Sequence, residues 1–407
     1  MLFLWTDVSA VRYSLWMRIL LLSVLILLQA ACGGGGGGSS SPPPAQVSTP
    51  EPEPVWEYTA PEDLADGWSV SNLDAQELEE ASIIELMTNL IEDNLGIDGI
   101  AIARNGRLVL DERIRSELAS NDTEAGNNDI ELHAVYSITK SVNATLVGKA
   151  VEQGLLDVDN QILTLFPQYE PFENNHADKE SMTVANFLTM RHGLTWDELT
   201  QPYGDPDNSL SYAIENCTDY VKCLLDLPMD GTPGETFSYS THVSLTLGAL
   251  VEQESGMDYQ SYADTHFFEP LQISNYLWNG LTPTGRTPTG SGLFLTTRDM
   301  TKLGQLYLDG GTWNGNRLIP ASWVTTSTNQ LASLPEAYVP NGYGYQWWTY
   351  DFSGLEAFAA VGYGGQYVIV IPEESLVVTF TSNNYLAANA LSLPLDLLVD
   401  YILPALQ

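Results

Sequence analysis

Strand-forming segments sit at the two ends of this chain, and the long stretch between them carries few. Near the start, Ile97 to Ala103 and Arg107 to Glu112 are rich in aliphatic residues and meet at Asn105-Gly106. That dipeptide readily takes the two positive-φ positions of a type I′ turn, so the pair forms a hairpin. Near the end, Tyr343 to Tyr350 is aromatic, Ala357 to Val361 and Tyr367 to Ile371 flank the turn Gly362 to Gln366, and Leu376 to Thr381 is a fourth run. From about 153 to 290 the pattern is helical instead: Val184 to Met190, Tyr212 to Leu227 and His242 to Ser255, punctuated by Pro228 and Pro233-Gly234. Strands so far apart in sequence must join in one antiparallel sheet, with the helical stretch as a lobe beside it.

Helices frame those strands. Asp74 to Asn94 carries an apolar stripe of Leu78, Ile83, Ile84, Met87, Leu90 and Ile91, and Leu386 to Ile402 reads as a closing amphipathic helix. Thr297 to Leu308 is a further helix, stopped by Gly310-Gly311. Residues 115–130 are polar and read as a loop. The expected fold is α+β in two lobes: an antiparallel sheet flanked by terminal helices, a mostly helical lobe, and a cleft between them.

One stretch at the join of the lobes carries chemistry. His133 to Tyr136 reads as extended, and from Ser137 the spacing of Val142, Leu146, Ala150 and Val151 is helical up to Gly154. Ser137 and Lys140 therefore share a helix face. The chain has five lysines, and only Lys140 has a serine three positions before it. A serine at a helix start gains from the unpaired N–H groups there, and a lysine can take its proton once burial lowers the lysine pKa from about 10.4.

Two distant segments supply what that pair lacks. Phe237-Ser238-Tyr239-Ser240-Thr241 follows Pro233-Gly234, and Tyr239 can relay a proton if cations hold it near the phenolate form. Ala360-Val361-Gly362-Tyr363-Gly364-Gly365-Gln366 brings glycines to a strand end, where backbone N–H groups can approach a ligand closely, as an oxyanion site needs. Each also has a plain structural reading, a packed aromatic and a hairpin turn.

The formal charge of −37, from 52 acidic and 15 basic residues, argues against nucleic acid as a partner, because little would neutralise phosphates. At the N-terminus, Arg12 and Arg18 precede an apolar core from Ile19 to Leu28, and Ala30 and Ala31 precede Cys32. Residues 1–32 read as an export signal, with Met17 a plausible true start. Leu28-Gln29-Ala30-Ala31-Cys32 resembles a bacterial lipoprotein cleavage site, with Cys32 as the lipidated residue. Residues 33–55 are a Gly-, Ser- and Pro-rich tether, and the folded domain spans 56–407. Export would place the domain in the cell envelope, anchored to a membrane through the lipid and facing the periplasm or cell surface. Cys217 and Cys223 can form a small-loop disulfide in an oxidising compartment, or remain free thiols. No metal-binding pattern includes them, and no cofactor motif is found.

Together these segments resemble the serine β-lactamase-related superfamily, which includes class C β-lactamases, DD-peptidases, family VIII carboxylesterases and 6-aminohexanoate-oligomer hydrolases. The resemblance covers about 75–404. Tyr136-Ser137-Ile138-Thr139-Lys140-Ser141 looks like the nucleophile motif, and Pro233 to Thr241 looks like the second motif with its tyrosine. Phe187 to Leu194, Gly292 to Met300 and Tyr343 to Trp348 match in kind and order.

The resemblance implies a β-lactamase/transpeptidase-like fold with Ser137 as nucleophile and Lys140 and Tyr239 sharing the proton transfers. It implies an oxyanion hole from the N–H groups of Ser137 and Tyr363, and a substrate lined by Thr241, Gly362, Gly364 and Gly365. Two positions depart from the family. Thr241 stands where the lactamases have asparagine, and Ala360 stands where Lys or His opens Lys-Thr-Gly. Losing that cation turns the expectation from β-lactams toward small esters or amides. A β-lactamase or DD-peptidase, and a catalytically silent cell-envelope module, are the alternatives.

Overall fold

The structure is a computed structural model that describes residues 55–407 apart from 125, 281 and 336–337. The export segment, Cys32 and all of the tether but Val55 lie outside the described residues. The strands are β1 (Ser69–Val70), β2 (Ile97–Arg104), β3 (Arg107–Arg113), β4 (His133–Ala134), β5 (Leu277–Trp278), β6 (Leu293–Leu295), β7 (Thr312–Trp313) and β8 (Asn316–Arg317). They continue with β9 (Ala332–Ser333), β10 (Gly342–Tyr343), β11 (Trp348–Phe352), β12 (Leu355–Gly362), β13 (Gln366–Ile371) and β14 (Leu376–Ser382). The helices used below are α1 (Glu80–Glu92), α2 (Ile138–Glu152), α3 (Val184–Leu188), α4 (Ser209–Asn216), α5 (Tyr220–Asp226), α6 (Thr241–Ser255), α7 (Thr297–Leu308) and α8 (Leu393–Leu397).

Among the described residues the main sheet runs β1-β3-β2-β14-β13-β12-β11-β10-β9. The two ends of the chain meet where β2 pairs antiparallel with β14, Ile102 opposite Val378. The β2–β3 turn has Asn105 at φ 54° and Gly106 at φ 72°, the twist-matched geometry expected of that dipeptide. Only β1 departs from the antiparallel expectation, pairing parallel with β3.

Alternation along the strands sends residues to two separate cores. Ile100, Ile102, Ile369 and Val378 pack with α1 and the C-terminal helix, while Ala101, Ala103, Val368 and Val377 pack with α2, α6 and α7. The small residues on the second face let α7 close in, and Gly304 is part of that fit: a Cβ there would lie 2.5 Å from Val377 Cγ1.

Five elements differ from the sequence reading, one being a short helix over Ser120–Glu124 inside the stretch read as a loop. Asp74 to Asn94 is not one helix: a 3₁₀ turn ends at Glu77, whose φ is 58°, and α1 starts at Glu80. The closing helix starts at Leu393, with Pro394 in its first turn, followed by a π-helical turn over Leu398–Ile402. Leu386 is exposed, so its apolar character is not used in packing. Tyr343 to Tyr350 breaks at Gly344–Trp347, where Gln346 takes φ 60°. Tyr212 to Leu227 is two helices, because Asp219 accepts from the N–H groups of Val221 and Lys222 and starts α5 anew. Cys217 and Cys223 are disulfide-bonded across that break, with a Cα separation of 6.1 Å.

Candidate active site

Strand β4 is held in a small sheet with β6 and β5, and Val135 N–H donates to Leu293 O at 2.9 Å. The chain then reverses through Tyr136, whose φ of 47° is a costly conformation for a bulky residue. Its ring packs edge-on against Tyr363 and Tyr385, at 5.6 and 5.5 Å between centroids. Those contacts lock the reversal and set Ser137, partly exposed, at the N-cap of α2. The residues after it are buried from Ile138 to Gly148.

Lys140 is among them. Its Nζ donates to Ser137 Oγ at 2.9 Å and to Gly290 O at 2.8 Å. It also lies 4.9 Å from the centroid of the Tyr239 ring. Burial pushes the ammonium down to about 8, partly opposed by the negative charge of Glu198. The carbonyl of Gly290 is available because that residue lacks a side chain: a Cβ would lie 2.9 Å from Thr241 O.

Tyr239 is buried and stacked on Trp348 at 5.7 Å, with the Ser137 side chain among the groups that act on its hydroxyl. Burial first and Glu198 second raise its pKa well above 10. The sequence reading asked for cations that hold this tyrosine near the phenolate; the surroundings do the opposite, so it stands as a neutral phenol.

Sequence reasoning missed Glu198. Its buried carboxylate accepts from Thr241 N–H at 2.7 Å, Thr241 Oγ1 at 2.5 Å and Trp196 Nε1 at 3.1 Å. Thr241 was expected to line the substrate; its hydroxyl proton goes to Glu198, which leaves only acceptor lone pairs. The available signal was position: Trp196-Asp197-Glu198 directly follows the family-like stretch ending at Leu194.

The glycine-rich segment joins β12 to β13. Gly362 lies under the nucleophile strand, where a Cβ would come within 2.3 Å of Val135 O. At Gly364 a Cβ would meet the Tyr385 ring at 2.4 Å, and at Gly365 it would meet Ala390 O at 2.7 Å. The space beside each of the three is thus filled by the chain's own atoms. Tyr363 sits between them, its hydroxyl donating to Tyr385 O at 2.7 Å. Ala360 is fully buried in the sheet and itself brings no cation there.

Fold and site order together define a serine hydrolase of the β-lactamase-related superfamily. The β-lactamase family profile matches residues 87–392, and the chain belongs to that family. It is similar to the 6-aminohexanoate-dimer hydrolase of Paenarthrobacter ureafaciens, 25% identical over 287 residues covering 66% of this chain and 70% of that protein. Penicillin-binding protein 4 of Amycolatopsis lactamdurans is 23% identical over 287 residues, covering 62% and 72%. The solved structure of a family VIII carboxylesterase superposes with a TM-score of 0.57 at 15% identity, covering 74% of this chain and 91% of that one.

Proposed function

We propose that this chain is an exported serine hydrolase that cleaves a small ester or linear amide through an acyl-enzyme on Ser137. The observation that carries the reading is Lys140 Nζ at 2.9 Å from Ser137 Oγ, on a lysine whose burial brings its pKa to about 8. Neutral Lys140 takes the Ser137 proton as Oγ attacks the carbonyl carbon. The oxyanion is held by the N–H groups of Ser137 and Tyr363. The proton passes through the Tyr239 hydroxyl to the leaving oxygen or nitrogen as its bond to the acyl carbon breaks. Water then attacks the acyl-enzyme by the same relay, freeing the acid and restoring Ser137.

Two features bear on substrate. Ala360 removes the cation that would hold a carboxylate, and Glu198 adds a negative charge behind Thr241. Both favour substrates without a carboxylate beside the scissile bond. Export, with lipidation at Cys32 and the 33–55 tether holding the domain off a membrane, rests on the N-terminal sequence pattern.

The test is a panel of p-nitrophenyl esters, linear amides and a chromogenic cephalosporin, with Ser137→Ala as control. Turnover of esters or linear amides that disappears in the variant is the expected result. No turnover, together with no fluorophosphonate label on Ser137, would point to a silent binding module instead. The 23% identity to a penicillin-binding protein supports a second reading, a β-lactamase or peptidoglycan peptidase. A penicilloyl adduct on Ser137 by mass spectrometry would favour it.

A further inference from the structure

From Asp197 to Asp207 the chain runs along the surface with no helix or strand of its own. Glu198 is the one buried residue in that stretch, and its neighbours Asp197 and Leu199 are exposed. A surface loop left to itself is mobile, yet this one must hold a single carboxylate at a fixed depth against Thr241.

Asn208 supplies the anchor. It is fully buried, and its side-chain amide uses both donors and both lone pairs. Nδ2 donates to Glu198 O and to Gln201 O, each at 2.8 Å. Oδ1 accepts from the N–H groups of Leu210 at 3.0 Å and Ser211 at 3.1 Å, which caps α4. One side chain therefore ties the backbone of Glu198 to the start of a helix. A second tie lies beside it: Ser209 N–H donates to Asp197 O at 2.8 Å, and Ser209 Oγ accepts from Asp197 N–H at 2.9 Å. Helix α4 is in turn fastened to α5 by the Cys217–Cys223 disulfide.

Lys140 feels where the carboxylate sits, because the charge of Glu198 opposes the effect of burial on its ammonium. Tyr239 and His242 are the other titratable groups that face Lys140. Burial first and Glu198 second raise the phenol, while burial first and Lys140 second lower the imidazole, so both stay neutral. We propose that Asn208 is a positioning residue: its two bonds to the loop hold the Glu198 carboxylate against Thr241, within electrostatic reach of Lys140. The consequence for rate rests on the acyl-enzyme chemistry proposed for Ser137; the consequence for Lys140 does not.

The test separates the loop tie from the helix cap. Asn208→Ser keeps a capping oxygen and loses the forked amide. Protein labelled with carbon-13 at lysine Cε is titrated by NMR, with Lys140→Met identifying the Lys140 signal. The proteins compared are the parent, Glu198→Gln, Asn208→Ser and the double variant. Glu198→Gln should lower the Lys140 midpoint from about 8, and Asn208→Ser should move it the same way. In the Asn208→Ser background, Glu198→Gln should produce less than about half of the shift it produces in the parent. A Lys140 midpoint unmoved by Asn208→Ser overturns the proposal, even where the melting temperature falls, since a purely structural role changes stability alone. So does a Glu198→Gln shift of equal size in both backgrounds, or none in the parent. Should Asn208→Ser fail to fold, Asn208→Asp, which also caps α4 and cannot donate, takes its place and the same comparison of shifts decides. The readout needs no turnover: a protein without hydrolytic activity would sink the Ser137 reading and still decide this one.

Discussion

The carboxylate of Glu198 grips Thr241 twice, once at the backbone N–H (2.7 Å) and once at the hydroxyl (2.5 Å). It thereby fixes the residue two positions after Tyr239 and leaves a buried negative charge that raises the pKa of Lys140 and of Tyr239. Glu198→Gln removes the charge and keeps the shape. Lys140 should then lose its proton more easily, so the acid limb of kcat/KM should move below pH 8. The amide also turns an N–H₂ toward two of the carboxylate's four donors, either the Thr241 and Tyr203 hydroxyls or the Thr241 and Trp196 N–H groups, costing about 1–3 kcal/mol of stability. A pH–rate profile with an unmoved limb would count against this electrostatic role.

Lys140 illustrates a conflict between rate and stability. Its pKa drop from 10.5 to about 8 corresponds to about 3 kcal/mol of disfavoured charge at neutral pH. Lys140→Met keeps the length, removes the charge and gives up hydrogen bonds to Ser137 and Gly290 worth about 1 kcal/mol each. The variant should lose at least ~10²-fold in kcat and yet melt no lower than the parent at pH 7. Calorimetry beside an ester assay checks both halves. A marked fall in melting temperature would show that the lysine is structural.

Tyr239→Phe separates the phenol from the ring. The stack on Trp348 at 5.7 Å survives, so the fold should hold. The relay hydroxyl is gone, and kcat/KM should fall by roughly 10²- to 10⁴-fold. The acid limb should stay near pH 8, because Lys140 sets it. A variant that hydrolyses esters at the parental rate removes Tyr239 from the mechanism.

Patterns with a local cause were readable from the chain. Asn105-Gly106 announces its turn because the dipeptide itself tolerates positive φ. Ser137 and Lys140 share a face because three-residue spacing on a helix requires it. Features enforced by distant contacts were not readable. Tyr136 takes φ 47° because rings from residues 363 and 385 clamp it. Glu198 becomes a site residue only when α6 brings Thr241 against it. The break at Glu77 and the late start of α8 follow from positive φ and from proline, which apolar periodicity does not register.

His192 gives the fold an acid limit. Its Nδ1 accepts the Leu194 N–H and its Nε2 faces the Ser238 carbonyl, so only the tautomer with its proton on Nε2 satisfies both. Burial pushes its pKa down to about 4, against about 6.5 in an unfolded chain. The folded form therefore holds the neutral ring while the unfolded chain takes up a proton. Stability falls as pH drops from 6.5 toward 4, by about 1.4 kcal/mol per pH unit from this group, and no further below 4. His192→Gln, whose amide can still reach Ser238 O, should be less stable at pH 6.5 but lack this slope. Urea denaturation at pH 4.5, 5.5 and 6.5 measures it: the gap between parent and variant should narrow as pH falls. A constant gap would mean that His192 does not titrate on unfolding.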